Sequence, residues 1–398
     1  MLVSDKPTLL IYCQHSIGIG HLIRSFSLAQ SLAKTFHVVF LNGGPLPPEL
    51  AMPRDVEIVN LPSLGLSAGN ALYSRNPDYT VEQAKRLRLQ FLLTAFERWA
   101  PQVVLIELFP FGRKKFAFEL LPLLRTAYRR RPRPLILCSL RDLLVTSRKD
   151  QQRHDDRARW LIDRYFDAVL MHADPTLVRL EESFTPRKPL QKPLHYTGFV
   201  LSGGRRTTNQ SCEKRRERRV LVSAGGGSVG APLLRTAITA YDELWPTARL
   251  PMTLVAGPFL AAADWRQLEH EARSRPGLTV YRSIPDLGGA MSRVAASISQ
   301  CGYNTAMDLI QSGTAALVVP FADGREDEQF NRAQRLEQLG IVRLLPPAQL
   351  NSQRLAAEIR ALMSFRPNPV SLNLNGATVT AHLVTELAAG AVATGTKR

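Results

Sequence analysis

Twice along this chain of 398 residues, a short apolar run meets a glycine-bearing turn and then a segment of helical period. The first such unit runs from Thr8–Cys13 through a turn holding Gly18 and Gly20 into Leu22–Thr35. The second runs from Val220–Ser223 through Gly225, Gly226, Gly227 and Ser228 into a helical stretch ending near Leu244. A strand that is apolar on both faces must be buried on both. A parallel neighbour can be reached only through a crossover, usually a helix. The pattern therefore calls for an α/β fold of doubly wound parallel sheets and argues against a β-sandwich or a helix bundle.

Further units extend each half. In the first, strands are expected at His37–Asn42, Val56–Leu61, Gln102–Glu107, Pro134–Leu140, Ala168–His172 and Leu194–Val200. Helices are expected at Val81–Trp99, Phe116–Arg131 and Asp156–Phe166. That makes a sheet of six or seven strands. Leu64–Asp78 reads as a loop longer than a connection needs, a common place for function. Leu201–Arg219 loses its apolar period and reads as a basic linker. The boundaries are then a lobe over 1–200, a linker over 201–219, a second lobe over 220–370, and a C-terminal helix and tail over 371–398 that crosses back to the first lobe. Two Rossmann-like lobes of this kind are expected to enclose an interdomain cleft lined by strand ends.

Composition narrows the setting. The apolar runs are strand-sized, with none long enough for a membrane span. The start lacks a basic segment followed by an apolar core, so no signal peptide is expected. Cys13, Cys138, Cys212 and Cys301 are scattered, without the spacing of a zinc site or disulfide framework. The expected location is the cytoplasm. The formal charge of +17 is concentrated in Arg125–Arg133 and Arg205–Arg219. The second run has no interleaved aromatic residue, and no nucleic-acid module is visible, so nucleic acid is not an expected partner. A solvated surface or the inner face of an anionic cytoplasmic membrane, met peripherally, suits the charge better.

Several constellations carry possible chemistry. The turn at Gly18–Gly20 lacks the third glycine and acidic residue of a dinucleotide fingerprint. Gly226, Gly227 and Ser228 offer backbone N–H groups to a phosphate, or simply permit a tight turn. No lysine stands at P-loop spacing. Gly302, Asn304, Thr305 and Asp308 open a helix: Asn304 or Thr305 could cap it, and Asp308 could either hold ribose hydroxyls or bond back to the helix start. Glu328 and Gln329 follow Pro320 and an acidic loop, and could bond sugar hydroxyls or face solvent. Asp-x-Asp spacing is absent, so no metal site and no cofactor are expected. His21 starts the first helix, and Glu107 and Asp142 end strands. Each could serve as a base. His154–Asp156 reads as helical surface.

From Ile284 to Gly340 the order of these residues resembles GT-B fold glycosyltransferases of the family 28 type. This is the branch holding the peptidoglycan enzyme that adds N-acetylglucosamine to lipid I and the monogalactosyldiacylglycerol synthases. The likeness rests on Gly302-Tyr303-Asn304-Thr305-Ala306-Met307-Asp308, then Pro320, Glu328, Gln329 and Ala333. It continues at Gly226–Gly230 and at Gly18–His21. The resemblance implies an acceptor-binding first lobe and a nucleotide-sugar-binding second lobe. It implies that Asp308 holds the ribose, where Glu is commoner, and that Ile284 reads uracil through its backbone. Gly20, Gly226, Gly227, Ser228, Gly302, Asn304 and Thr305 would line the diphosphate, and Glu328 and Gln329 the sugar. His21 would be the base or a phosphate contact, with Glu107 the next candidate. Ile19 and Arg332 depart from the peptidoglycan enzyme's pattern, which has a glycine-richer turn and an asparagine there.

The expected activity is hexosyl transfer, independent of metal, from a nucleotide-diphosphate donor such as a UDP-sugar to a hydroxyl acceptor, either lipid-linked or a small metabolite. Two alternatives stand beside it. A sugar-nucleotide 2-epimerase of the same fold would turn over donor without acceptor. A non-catalytic protein that binds nucleotide sugar or anionic lipid would turn over nothing.

Overall fold

The computed structural model describes residues 6–15, 20–47, 50–67, 71–146, 148–201, 216–321 and 327–395, with backbone alone over 392–395. Its residues divide into two compact units. The first comprises Met1–Leu144, Lys149–Arg205 and Leu372–Arg398. The second comprises Val145–Arg148 and Arg206–Ser371.

The first unit opens with β1 (Thr8–Cys13), α1 (Gly20–Leu32), β2 (His37–Asn42) and β3 (Val56–Asn60), followed by β4 (Leu64–Leu66) and β5 (Leu72–Ser74). Then come α2 (Val81–Trp99), β6 (Val103–Glu107), α3 (Ala117–Arg129), β7 (Leu135–Leu140), α4 (Gln151–Tyr165), β8 (Ala168–Met171) and β9 (Leu194–Tyr196). Seven strands form one parallel sheet in the order β3-β2-β1-β6-β7-β8-β9. β1 and β6 are buried almost throughout because helices cover both faces, which is why both are near-continuous apolar runs. The order reverses between β1 and β6, so their exits diverge and leave a crevice at the C-terminal edge.

Local chemistry sets the helix ends. The Thr80 side chain accepts from Gln83 N, and Gln83 returns a bond to Thr80 N, a capping box that starts α2. Ala100 ends it in a left-handed conformation. Two expectations are corrected here. The stretch 64–78 is not structureless: β4 and β5 pair antiparallel, and at Gly65 a Cβ would meet the Tyr73 ring at 2.3 Å. α4 begins at Gln151, five residues before the expected start, and Asp155 is 1% exposed rather than on the surface. It accepts from Gln151 Nε2 and Thr185 N, so it ties the helix to the following loop.

The second unit contains β10 (Glu217–Ser223), α5 (Ala231–Ala248), β11 (Met252–Val255), α6 (Ala262–Arg273), β12 (Leu278–Tyr281), α7 (Leu287–Arg293) and β13 (Val294–Ser299). It continues with α8 (Tyr303–Ser312), β14 (Ala315–Val318), α9 (Glu328–Gln338), β15 (Arg343–Leu344) and α10 (Ser352–Leu362). β10 starts three residues earlier than expected, inside the basic run. Its six parallel strands lie in the order β12-β11-β10-β13-β14-β15. The reversal falls between β10 and β13, again the place where a doubly wound sheet takes ligand.

The last helix, α11 (Gly376–Gly395), belongs to the first unit and packs on α1. Val384 is fully buried there, among the side chains of β1, α1 and β2. Gly376 is in contact with the Gly198 and Phe199 backbones, leaving no room for a Cβ, and Gly376 N donates to Phe199 O.

Candidate functional site

In the first unit, polar side chains gather where β1 and β6 diverge. His21 and Arg24 are three residues apart on α1 and so share a face. Both reach the carboxylate of Glu107 at the end of β6. His21 Nδ1 and Arg24 Nη2 each lie 2.5 Å from Glu107 Oε1. Arg113 Nη2 lies 3.5 Å from Oε2. Burial by itself would raise the Glu107 carboxyl. His21, Arg113 and Arg24 outweigh it and hold the carboxyl well below the usual carboxylate range. An ionised carboxylate only accepts, so His21 Nδ1 carries the proton and Nε2 keeps the lone pair. Burial lowers the His21 ring well below its ordinary value. Glu107 opposes this, and Arg113 and Arg141 add to it, so the neutral ring prevails near pH 7. Glu107 is 1% exposed while the His21 side chain is 16% exposed. The histidine is the member of the pair that can meet a reactant.

The loop after β6 fixes this geometry. Leu108 and Arg113 both take positive φ, at 63° and 58°. A non-glycine residue held there costs of order 1–2 kcal/mol, so the surroundings must over-determine it. They do so with Leu108 N on Ser139 O, Gly112 N on Leu108 O, and the buried Phe111 ring against Phe184 at 4.8 Å. A second buried cluster sits nearby. Arg88, fully buried, donates to both Glu119 oxygens, to Gln14 Oε1, and to the carbonyls of Gly43 and Pro62. It pins the exits of β1, β2 and β3 at once. Sequence reading missed Arg24, Arg88 and Arg113. Only Arg24 had a signal, its helical spacing from His21.

In the second unit, the turn after β10 and the start of α8 converge. A Cβ on Gly225 would lie 4.0 Å from Thr305 Oγ1, and Gln300 Nε2 donates to Val229 O. Gly227, at φ 90°, is in tight contact with the Ala256 carbonyl and Leu260 N of the turn after β11, so its glycine is required for packing. Gly226 O accepts from Phe259 N, which fixes the same two turns together. Ser228 lies in the same turn, two residues before the N-cap Gly230 of α5. Gly257 N donates to Arg282 O, which brings the exit of β12, and Ile284 two residues on, beside this cluster.

The expected capping of α8 by Asn304 or Thr305 is corrected. Gly302 is the N-cap, without a side-chain cap, and a Cβ there would meet nothing within 4 Å. Asn304 and Thr305 stand in the first turn of α8. The N-terminal end of α8 thus has no side-chain cap from Gly302, and the helix dipole places partial positive charge there. Asp308, one turn on, is 8% exposed.

Glu328 and Gln329 open α9. Gln329 Oε1 accepts from Cys301 N and Phe321 N, so its carbonyl faces inward and its amide NH2 is the end turned to other partners. Glu328 Oε1 accepts from Arg332 Nη2, whose Nη1 donates to Cys301 O. The Cys301 peptide is thus gripped at both ends by α9. Gly18 and Ile19, most of the basic linker, and residues 322–326 of the acidic loop lie outside the described residues. Gly20 is the first residue of α1, in the unit of His21 and Glu107. Among the described residues, no group of three or more His, Cys, Asp or Glu side chains could hold a metal ion.

Comparisons with known proteins fit this geometry. Residues 221–383 match the profile of the Glycosyltransferase family 28 C-terminal domain. A UDP-N-acetylglucosamine–N-acetylmuramyl-(pentapeptide) pyrophosphoryl-undecaprenol N-acetylglucosamine transferase from Alkalilimnicola ehrlichii is 28% identical over 144 residues, covering 36% of this chain and 39% of that protein. The Methylococcus capsulatus protein of the same name is 31% identical over 172 residues, covering 43% and 47%. The chain thus spans less than half the length of these curated relatives. Among solved structures, the calicheamicin glycosyltransferase CalG4 superposes with TM-score 0.58 at 14% identity, covering 99% of this chain and 97% of that one. Acinetobacter baumannii MurG gives TM-score 0.54 at 15% identity, covering 97% and 100%. With the family-model match over 221–383 in its second unit and Rossmann-like sheets in both units, the chain has the fold of the GT-B glycosyltransferases, and its second unit resembles the family 28 C-terminal domain.

Proposed function

We propose that this chain is a glycosyltransferase that moves a sugar from a UDP-linked donor to an acceptor hydroxyl. The observation that carries the reading is the His21–Glu107 pair at the reversal point of the first sheet. A neutral ring with Nδ1 held by an ionised carboxylate presents Nε2 as a base. It takes the acceptor's proton as the hydroxyl oxygen attacks the anomeric carbon, and the bond to the nucleotide diphosphate breaks. Glu107 orients the ring and stabilises the charge that develops on it.

The second unit holds the donor in this reading. First-turn N–H groups of α8 and the Gly226–Ser228 turn receive the diphosphate, whose leaving charge the helix dipole stabilises. Asp308 holds the ribose, the Ile284 backbone reads the base, and Glu328 with the Gln329 amide meets the sugar. No step is routed through a metal. Among the described residues, no helix is long and apolar enough to cross a membrane. The exposed Arg125, Arg129, Arg131 and Arg133 suit peripheral contact with an anionic membrane on the cytoplasmic side.

The test is a UDP and UDP-sugar titration of the full chain, with wild type and Asp308→Ala side by side. Micromolar UDP binding that weakens at least 10-fold in the variant supports the donor site. Equal binding by the two proteins refutes it.

A further inference from the structure

Arg113 helps keep Glu107 ionised, but neither that role nor donor binding accounts for its unmet hydrogen-bond donors. It follows β6 in a left-handed backbone conformation, and its side chain is 17% exposed. Among the described residues its ionic partner is Glu107, at 3.5 Å, beyond hydrogen-bonding distance for a guanidinium and carboxylate. Its Nε and Nη2 are buried and make no hydrogen bond. Glu107 is already engaged through its other oxygen by Arg24 and His21. Two guanidiniums therefore converge on one carboxylate, and the second is left with donors unmet.

Buried donors of a cation are costly to leave unsatisfied. A protein that holds one in a strained loop beside its reactive histidine has a use for it. Lys114 and Lys115 follow directly and are exposed, so the whole turn is cationic up to Glu119, whose carboxylate is engaged by Arg88. The fork of an arginine fits a tetrahedral or planar oxyanion.

We propose that Arg113 binds an oxyanion, phosphate or carboxylate, that the acceptor carries near the hydroxyl deprotonated by His21. This rests on His21 being the base. It names the class of acceptor: an anionic one, for which Arg113 is the specificity-determining residue. A neutral acceptor would leave the guanidinium's donors unmet in the complex.

The experiment uses the full chain with ring-15N histidine, followed by NMR at the His21 resonances. Inorganic phosphate and acetate are titrated separately, with UDP saturating so that the donor site is filled. The expected result is saturable perturbation of His21 by at least one of the two anions, with an upward shift of its titration as the arginine's charge is neutralised. The tighter anion identifies the group the acceptor bears. Arg113→Met should weaken that binding at least 10-fold, and Arg113→Lys less, while UDP affinity stays unchanged in both. Absence of any His21 response to either anion in wild type overturns the proposal, as does unchanged anion affinity in Arg113→Met. Should Arg113→Met not fold, the wild-type titration decides alone. A failed UDP titration with an intact anion response would instead refute the donor reading.

Discussion

His21 Nδ1 and Glu107 Oε1, 86 residues apart in sequence, meet at 2.5 Å where the first sheet reverses its strand order. The contact orders the ring, fixes its tautomer and sets its basicity. Replacing Glu107 with Gln keeps the shape and removes the charge. Transfer should fall by about 10²-fold or more, the scale on which general-base machinery acts. UDP affinity should not change. Steady-state kinetics against a UDP titration separates the two effects.

The pH profile follows from the same pair. As the proposed base His21 would act when neutral, and burial places its titration below the ordinary histidine value. The acid limb of kcat/KM should lie below about pH 6.5. Glu107 raises the His21 value, so Glu107→Gln should move that limb to still lower pH. A shift to higher pH would contradict the assignment.

Two further histidines govern stability rather than activity. Burial lowers His172 to about 3 and His15 to about 4. His172 is held between Ser139 Oγ and Thr197 Oγ1, each at 2.8 Å. Both folded values lie below the unfolded one, so the unfolded chain binds more protons in between. Their contribution is full above pH 6.5 and is lost as pH falls through about 4 and 3. Unfolding free energies from urea titrations should fall steadily from pH 7 to pH 4, by at least about 1 kcal/mol per histidine. His172→Gln should flatten part of that slope.

Glycines in the second unit should behave in opposite ways. Gly227→Ala forces a side chain to φ 90°, against the Ala256 carbonyl, and should cost more than about 1 kcal/mol by thermal or urea unfolding. Gly302→Ser sits at φ −63° with nothing within 4 Å, and serine is a good N-cap. Stability should hold or rise slightly. If the proposed donor site is right, UDP binding should fall, because the new hydroxyl would compete for the N–H groups that would receive the diphosphate.

Arg88→Met leaves Glu119 buried without its main partner. The expected loss is about 3–5 kcal/mol. Adding Glu119→Leu should recover part of it, which denaturation of the single and double variants can measure.

Strand and helix order was legible because each βα unit carries its own period, and α2 falls where the pattern puts it, over Val81–Trp99. So was the grouping of Gly302, Asn304, Thr305 and Asp308, which are neighbours on one helix. What the chain did not announce is set by long-range packing. Nothing local shows that Arg113 faces Glu107, or that Arg88 gathers three strand exits. Asp155 reads as one polar residue among many on α4, and only the fold shows that it faces inward. Gln329 could be read as a sugar contact or as solvated, because its spacing says nothing of Cys301 and Phe321. The β4–β5 hairpin escaped because three-residue strands are too short to display an alternation.

The grip of α9 on the Cys301 peptide has a consequence for redesign. Gln329 holds its N–H and Arg332 its carbonyl, one residue before the N-cap Gly302 of α8. The side chains that would choose the sugar are therefore mechanically continuous with the turn that would hold the diphosphate. In the proposed donor site, sugar choice would then not be a detachable module. A substitution that admits a different hexose would also loosen the anchor of the nucleotide, and an engineered variant would need a compensating change on α8 to recover its affinity.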